Sequence, residues 1–454
     1  MVNVKIFAAG LAGIILVASV VVIVLNEERD WPVGEGLEIY GNANGDWSID
    51  EEDLEYIQAI IDGDLNATDY PYADANRDGT VDAADLEQVQ ALIDGTADYI
   101  WILDGNSDPI KVSLPVERIG VEYLSNAELM NVLGVSDKVV AVDSAAYLMA
   151  DFYFPENDFT NGQMGQMHSN PNFEAILDMN LDVLFTFSPD TTTKAQNLPD
   201  TDVIFLGLYW PNVINPEDSR FMQGVMKAGY ILDAVDRAQD YKAWLEGLVD
   251  MLDDVTSQID PDDRPSVLMT SHNRFFGFGG EANTEAAIYT KIDPLSQACI
   301  LAGGKPIAEN IDNWVGEGNV YGTTVTVEWV LDQEPEFIFA HSVRYTYSGI
   351  TREPAYGYDW DDIANYTAAV NDMLSRPQLG SIPAYENENV YITAGDFRNN
   401  AMGGILGAVY LAKILHPDLF TELDPVAVHQ EFVTDWMGLD YDLTTNGVFI
   451  APAL

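Results

Sequence analysis

The residues best suited to chemistry form two loops of alternating oxygen side chains. The first, NANGDWSIDEED, carries Asn42, Asn44, Asp46, Asp50 and Asp53; the second, DANRDGTVDAAD, carries Asp74, Asn76, Asp78, Asp82 and Asp85. Side chains at positions 1, 3, 5, 9 and 12 of a twelve-residue loop can surround a calcium ion, with a backbone carbonyl at position 7. Ser48 and Thr80 would supply that carbonyl. Gly79 suits the sharp turn at position 6 of the second loop. Trp47 stands there in the first, and Asn42 replaces an anionic ligand, so the first site is expected to be the weaker.

A second set of residues suits ligand binding. The chain has 20 Lys and Arg against 74 Asp and Glu, yet Arg274, Arg344 and Arg398 fall in three loops that follow apolar strand-like runs. Arginine grips carboxylates and phosphates through paired hydrogen bonds. Tyr209, Trp210, Phe275, Phe276 and Tyr345 lie in loops of the same kind and could stack on a flat ligand, and Tyr147 is a further ligand-binding candidate. His272 and His341 share two of these loops. The alternative for each arginine is a pairing with the abundant carboxylates nearby. No H-E-x-x-H, G-x-x-x-x-G-K-[ST] or G-x-S-x-G pattern occurs, so no catalytic residue is assigned and no enzyme is expected.

The elements that must position these residues can be read from the pattern. Each oxygen-rich loop runs into an amphipathic segment, LEYIQAIIDG or LEQVQALIDG, so residues 40–96 form a small, all-α, duplicated domain. From Tyr99 onward, short apolar strands alternate with helices, which predicts α/β layers with parallel sheets. Two such blocks, 99–235 and 261–440, flank one long helix at 236–260, and 441–454 is a tail. In that helix Tyr241, Trp244, Leu245, Leu248, Met251, Leu252, Val255 and Ile259 fall on one face, and Asp236 with Gln239 fits a capping box. The blocks also match internally. FEAILDMNLDVLFTF and VEWVLDQEPEFIFAH both read as helix, short turn and buried strand. Glu174 and Glu328 each stand eight residues before the acid that enters the strand.

The net charge of −54 makes nucleic acid and anionic membrane surfaces poor partners. It fits divalent cations, a basic partner or a saline medium. A single cysteine, Cys299, excludes an internal disulfide framework. Ile6 to Leu25 is a run of twenty apolar or small residues, long enough to span a bilayer, with Lys5 before it and Glu27, Glu28 and Asp30 after. We read residues 1–30 as an uncleaved N-terminal membrane anchor, a signal segment being the alternative, with the bulk of the chain outside the cell.

Residues 40–95 resemble the dockerin domain on the strength of the two loop-plus-helix copies. That resemblance implies calcium in both loops and a cohesin-like module as partner. Residues 100–440 resemble the substrate-binding proteins of ABC importers for iron-siderophores, haem and cobalamin. The stretches that carry this are DGNSDPIKVSLPVERIGV, NFEAILDMNLDVLF, the long helix, VEWVLDQEPEFIFA and PQLGSIPAYENENVYI. It implies two α/β lobes bridged by the helix, a metal chelate held between them, and docking through Glu174 and Glu328 onto a permease whose ATPase is a separate chain. The rival reading is a calcium-dependent surface adhesion or scaffold protein working through the repeat.

Overall fold

The structure is a computed structural model. It describes residues 36–453 except 168–169, 209–219, 277–283, 319, 343–344, 348–349, 353–356, 360–361 and 401. Two parallel sheets dominate it. The N-terminal lobe has four strands in the spatial order Val139–Val142, Ile119–Val121, Val183–Thr186, Asp202–Phe205. The C-terminal lobe has five, in the order Lys305–Pro306, Ser266–Ser271, Phe337–His341, Val390–Thr393, Ile450–Ala451. In each lobe the chain lays the second strand on one side of the first and the third and fourth on the other. All pairings are parallel except the last, where Ile450–Ala451 runs antiparallel to Val390–Thr393. These strands are almost wholly apolar, as expected where helices cover both faces.

The matched acids at the strand entries have matched jobs. Asp182 Oδ2 accepts the N–H groups of Glu117 and Arg118 at 2.9 and 2.8 Å, just before the first strand of its lobe. Glu336 Oε2 accepts the N–H of Ser266 at 2.8 Å, at the start of the first strand of the other. The two helices run Phe173–Leu177 and Val327–Gln333, with Glu174 and Glu328 exposed in their first turns.

The long helix is Val235–Thr256, of 22 residues, lying in sequence between the two sheets. It buries Ala238, Tyr241, Leu245, Leu248, Val249 and Leu252. It starts one residue earlier than expected, and the capping box is absent: its N-cap is Ala234, with no side-chain hydrogen bond. The segment 441–454 is also more than a tail, because it supplies the fifth strand and buries Val448, Phe449 and Ile450.

The duplicated region forms helices Glu51–Ile61 and Ala83–Ile93, each opened by a capping box, Asp50 with Asp53 and Asp82 with Asp85. It is fused to the N-terminal lobe rather than tethered beside it. Leu37, Ile39 and Ile49 share a core with Ile100, Ile102 and Met226. Gln223 holds both the N–H of Glu38 and the carbonyl of Gly36, at 3.1 and 2.7 Å. Lys227, nearly fully buried, pairs with Glu38 at 2.7 Å. Among the described residues no helix is long and apolar enough to cross a membrane, and the anchor expected at 1–30 lies outside them.

Candidate functional site

In open parallel sheets ligands lie beyond the carboxyl ends of the strands, at the point where strand order reverses. In the N-terminal lobe that point lies between Ile119–Val121 and Val183–Thr186. The first strand is followed at once by Glu122 and Tyr123, the latter with φ +68. The second is followed by Phe187. The rings of Tyr123 and Phe187 stack at 4.1 Å and 27°. Beneath them Glu122 is buried against Lys194, whose Nζ lies 2.6 and 2.7 Å from its two carboxylate oxygens. The same carboxylate accepts the Phe187 N–H at 3.1 Å and the Thr186 hydroxyl at 2.9 Å. Asp143, after the neighbouring strand, accepts the Tyr123 N–H at 3.0 Å and caps the short helix that carries Tyr147. Tyr147 is 44% exposed.

The corresponding ends in the C-terminal lobe carry His272, Arg274, His341 and Arg398. Arg274 is exposed. Arg398 is held by Asp293, Nη2 to Oδ2 at 2.6 Å, and lies over the Tyr289 ring at 4.9 Å. Burial lifts the Asp293 carboxyl above its ordinary range, and the guanidinium opposes that lift. His272 is 5% exposed, in the turn His272–Arg274.

Two further expected ligand residues are buried. Phe275 is fully buried, packed edge-on against Phe276 at 5.0 Å. Alternation of polar and apolar residues in a loop does not reveal which side chain turns inward. His341 is 2% exposed; its Nδ1 lies 3.1 Å from the Thr270 carbonyl and 3.4 Å from the Tyr289 hydroxyl. Burial, with Arg398 nearby, pulls it down to about 3, so it is neutral. Tyr209, Trp210 and Arg344 lie outside the described residues, as does the side chain of Tyr345, whose backbone lies in the strand Tyr345–Tyr347. Tyr123 and Phe187 were not among the expected residues.

The lobes meet beside these strand ends. Glu128, on the helix Tyr123–Val132, accepts the N–H of Met402 from the other lobe at 2.9 Å. Asn400 donates to the Tyr153 hydroxyl across the same boundary at 2.7 Å. Phe152 stacks on Tyr358 at 4.1 Å. Burial, reinforced by Asp396, pushes Glu128 up to about 8, so it is a neutral acid at pH 7.

The two oxygen-rich loops repeat one hydrogen-bond scheme. Asp53 accepts the N–H groups of Asn44 and Asp50 at 3.1 and 2.9 Å; Asp85 accepts those of Asn76 and Asp82 at 3.1 and 2.8 Å. Ser48 N–H and Thr80 N–H donate to Asp46 and Asp78 at 2.7 and 2.9 Å. Left-handed backbone falls at Gly45 in the first loop and at Arg77 and Gly79 in the second. Among the described residues no three His, Cys, Asp or Glu side chains converge as a metal centre.

Residues 121–396 match the family described as periplasmic binding protein. Solved structures share the fold at low identity. The TroA-like periplasmic binding protein FepB from Veillonella parvula is 16% identical, with a TM-score of 0.59, over 77% of this chain and 98% of its own. The molybdate periplasmic binding protein MolA of Haemophilus influenzae, bound to molybdate, is 16% identical, with a TM-score of 0.57, over 75% and 98%. CeuE of Helicobacter pylori, in complex with nickel and histidine, is 15% identical, with a TM-score of 0.52, over 76% and 97%. No curated protein matches the chain. The chain belongs to the periplasmic binding protein family, whose members bind solutes and are not enzymes.

Proposed function

We propose that this protein is the membrane-tethered solute receptor of an ABC importer, and that it captures a chelated metal between its lobes outside the cell. The observation that carries this is the pair of parallel sheets with one strand order, within a chain that belongs to the periplasmic binding protein family. Neighbours of the same fold that hold molybdate or nickel with histidine favour a metal-containing ligand. The arginine and aromatic side chains at the strand ends suit the anionic, partly flat shell of a chelate.

Delivery requires a permease, and Glu174 and Glu328 are the docking residues in this reading. Each is exposed at the start of the equivalent helix of its lobe, so the two would meet matching basic sites. Complementary charges of this kind orient encounter. In cells that depend on this importer, Glu174→Lys with Glu328→Lys should abolish uptake while the purified variant keeps its ligand affinity. Undiminished uptake by that variant would remove the docking assignment.

The duplicated module binds calcium in this reading, which draws on oxygen donors that include Asn side chains and backbone carbonyls as well as carboxylates. Asn42 Oδ1, at position 1 of the first loop, is buried without a hydrogen-bond partner. Asp53 is wholly buried, and desolvation pushes its carboxyl up to about 7. A bound cation would offset both penalties. Asn42, Asn44, Asp46, Ser48, Asp50 and Asp53 would hold one ion, and Asp74, Asn76, Asp78, Thr80, Asp82 and Asp85 another. The tight seat of the module on the lobe favours a calcium-braced foot over a free adhesive arm.

A further inference from the structure

We propose that Asn66 is an acceptor of N-linked glycan, so that the connector between the two copies of the duplicated module carries an oligosaccharide. The chain holds two Asn-X-Thr triplets, Asn66-Ala67-Thr68 and Asn365-Tyr366-Thr367. Glycan transferases read this pattern on surface loops of exported proteins. Membership of the periplasmic binding protein family places the folded chain outside the cytoplasm. The proposal uses that location and nothing of the solute ligand. The two triplets are equal in sequence, and the fold separates them. The new bond forms at the amide nitrogen, so the triplet must leave the protein surface far enough for an enzyme to surround it. Around Asn66 that is cheap. Residues 61–64 and 66–69 are exposed, and Leu65 is half-buried. The triplet enters a single 3-10 turn, Ala67–Asp69. Its side-chain bonds are local: Asn66 Nδ2 lies 2.6 Å from Thr68 Oγ1, and the Thr68 N–H donates to Asn66 Oδ1 at 3.4 Å. A Cβ built on neighbouring Gly63 would meet nothing within 4 Å, so the space outside the connector is open. Around Asn365 the same excursion is costly. That triplet lies inside the helix Ala364–Leu374. Its middle residue, Tyr366, is fully buried in the core of the C-terminal lobe, with its hydroxyl 3.3 Å from Ser342 Oγ. Drawing the triplet out would unwind the first turn and strip that ring of its packing. The transfer itself is redox-neutral. The Asn66 amide nitrogen attacks the anomeric carbon of a lipid-phosphate-linked oligosaccharide. The nitrogen–carbon bond forms, the bond from that carbon to the phosphate oxygen breaks, the amide proton passes to a base of the transferase, and the lipid phosphate leaves. The product is a bulky hydrophilic cover on an exposed connector, the kind of segment that proteases otherwise nick.

Mass spectrometry of the full-length protein, purified from the cells that naturally make it, tests the site. A peptide spanning residues 57–70 should carry a sugar that fragmentation assigns to Asn66, and the peptide spanning Asn365 should be bare. Made in the same cells, Asn66→Gln should lose the sugar completely. Thr68→Ala should lose it too, although it keeps the asparagine, and Thr68→Ser, which keeps a hydroxyl, should retain it. Asn365→Gln should leave the sugar unchanged. Asn66, Thr68 and Asn365 are all exposed, so none of these substitutions removes a buried contact. The proposal is overturned if Asn66 of the natural protein is unmodified, or if the sugar survives Thr68→Ala. A sugar on Asn365 alone overturns it together with the argument from burial. In each of those cases the solute-receptor reading stands, because it is tested by ligand binding and not by this connector.

Discussion

Glu128 carries the sharpest consequence at the scale of single residues. Its carboxyl is sealed between the lobes, beside Asp396, and keeps its proton up to about pH 8, against an ordinary value of 4.5. The folded protein therefore holds this proton more tightly than the unfolded chain. Its contribution to stability is complete below pH 4.5 and is lost as pH rises through about 8. Glu128→Gln has no proton to lose, so its stability should fall less with pH. Urea unfolding of both proteins between pH 5 and 8 measures the difference, and parallel pH profiles would show that Glu128 does not titrate there. Tyr123 illustrates what residue types conceal. A tyrosine directly after a strand carries no sign of positive φ, since that backbone is rare for it. Position after a strand alone puts Phe275 and His341 at the cleft, whereas packing turns both side chains inward.

At the scale of elements, the two oxygen-rich loops, each running into a capped helix, were legible because one pattern occurs twice. The agreement of the hydrogen bonds at the last position of the two loops, Asp53 and Asp85, follows from that duplication. Their relation to the rest of the chain was not legible, because contacts between distant segments leave no local pattern. The first loop leans on the N-terminal lobe and on the long helix: Ile49 N–H donates to the Tyr230 hydroxyl at 2.7 Å, and Lys242 lies over Trp47 at 4.5 Å. The second loop is the more exposed. Calcium bound to the first loop should therefore stabilise the lobe as well as the module. At a hundredfold excess over its dissociation constant, one ion should add about 2.7 kcal/mol. Asp53→Asn should abolish that gain in the unfolding of the lobe, and Asp85→Asn should spare most of it. Differential scanning calorimetry with calcium and with chelator decides between them; equal effects of the two substitutions would mean that the first loop has no special link to the lobe. Trp47, which looks like a defect in a calcium loop by sequence, has a place in this contact.

At the scale of the whole molecule, the two-block organisation could be read from the repeated helix–turn–strand units. It was readable because an acid before a strand has a fixed task, holding the N–H groups that open the neighbouring strand. The common strand order was beyond reach, since strands of two to six residues do not specify their neighbours. The short strand Ile450–Ala451, without alternation, read as tail for the same reason. The helix Val235–Thr256 joins the lobes in sequence, and the buried contacts of Glu128, Asn400 and Phe152 join them in space. The central claim is that the space beside these contacts takes one metal chelate. Calorimetric titration of the calcium-loaded protein with iron(III)–catechol, iron(III)–acetohydroxamate and haemin tests it most directly. Saturable binding of at least one of them, at one molecule per chain, is expected. A folded, calcium-loaded protein that takes up none of the three would contradict it.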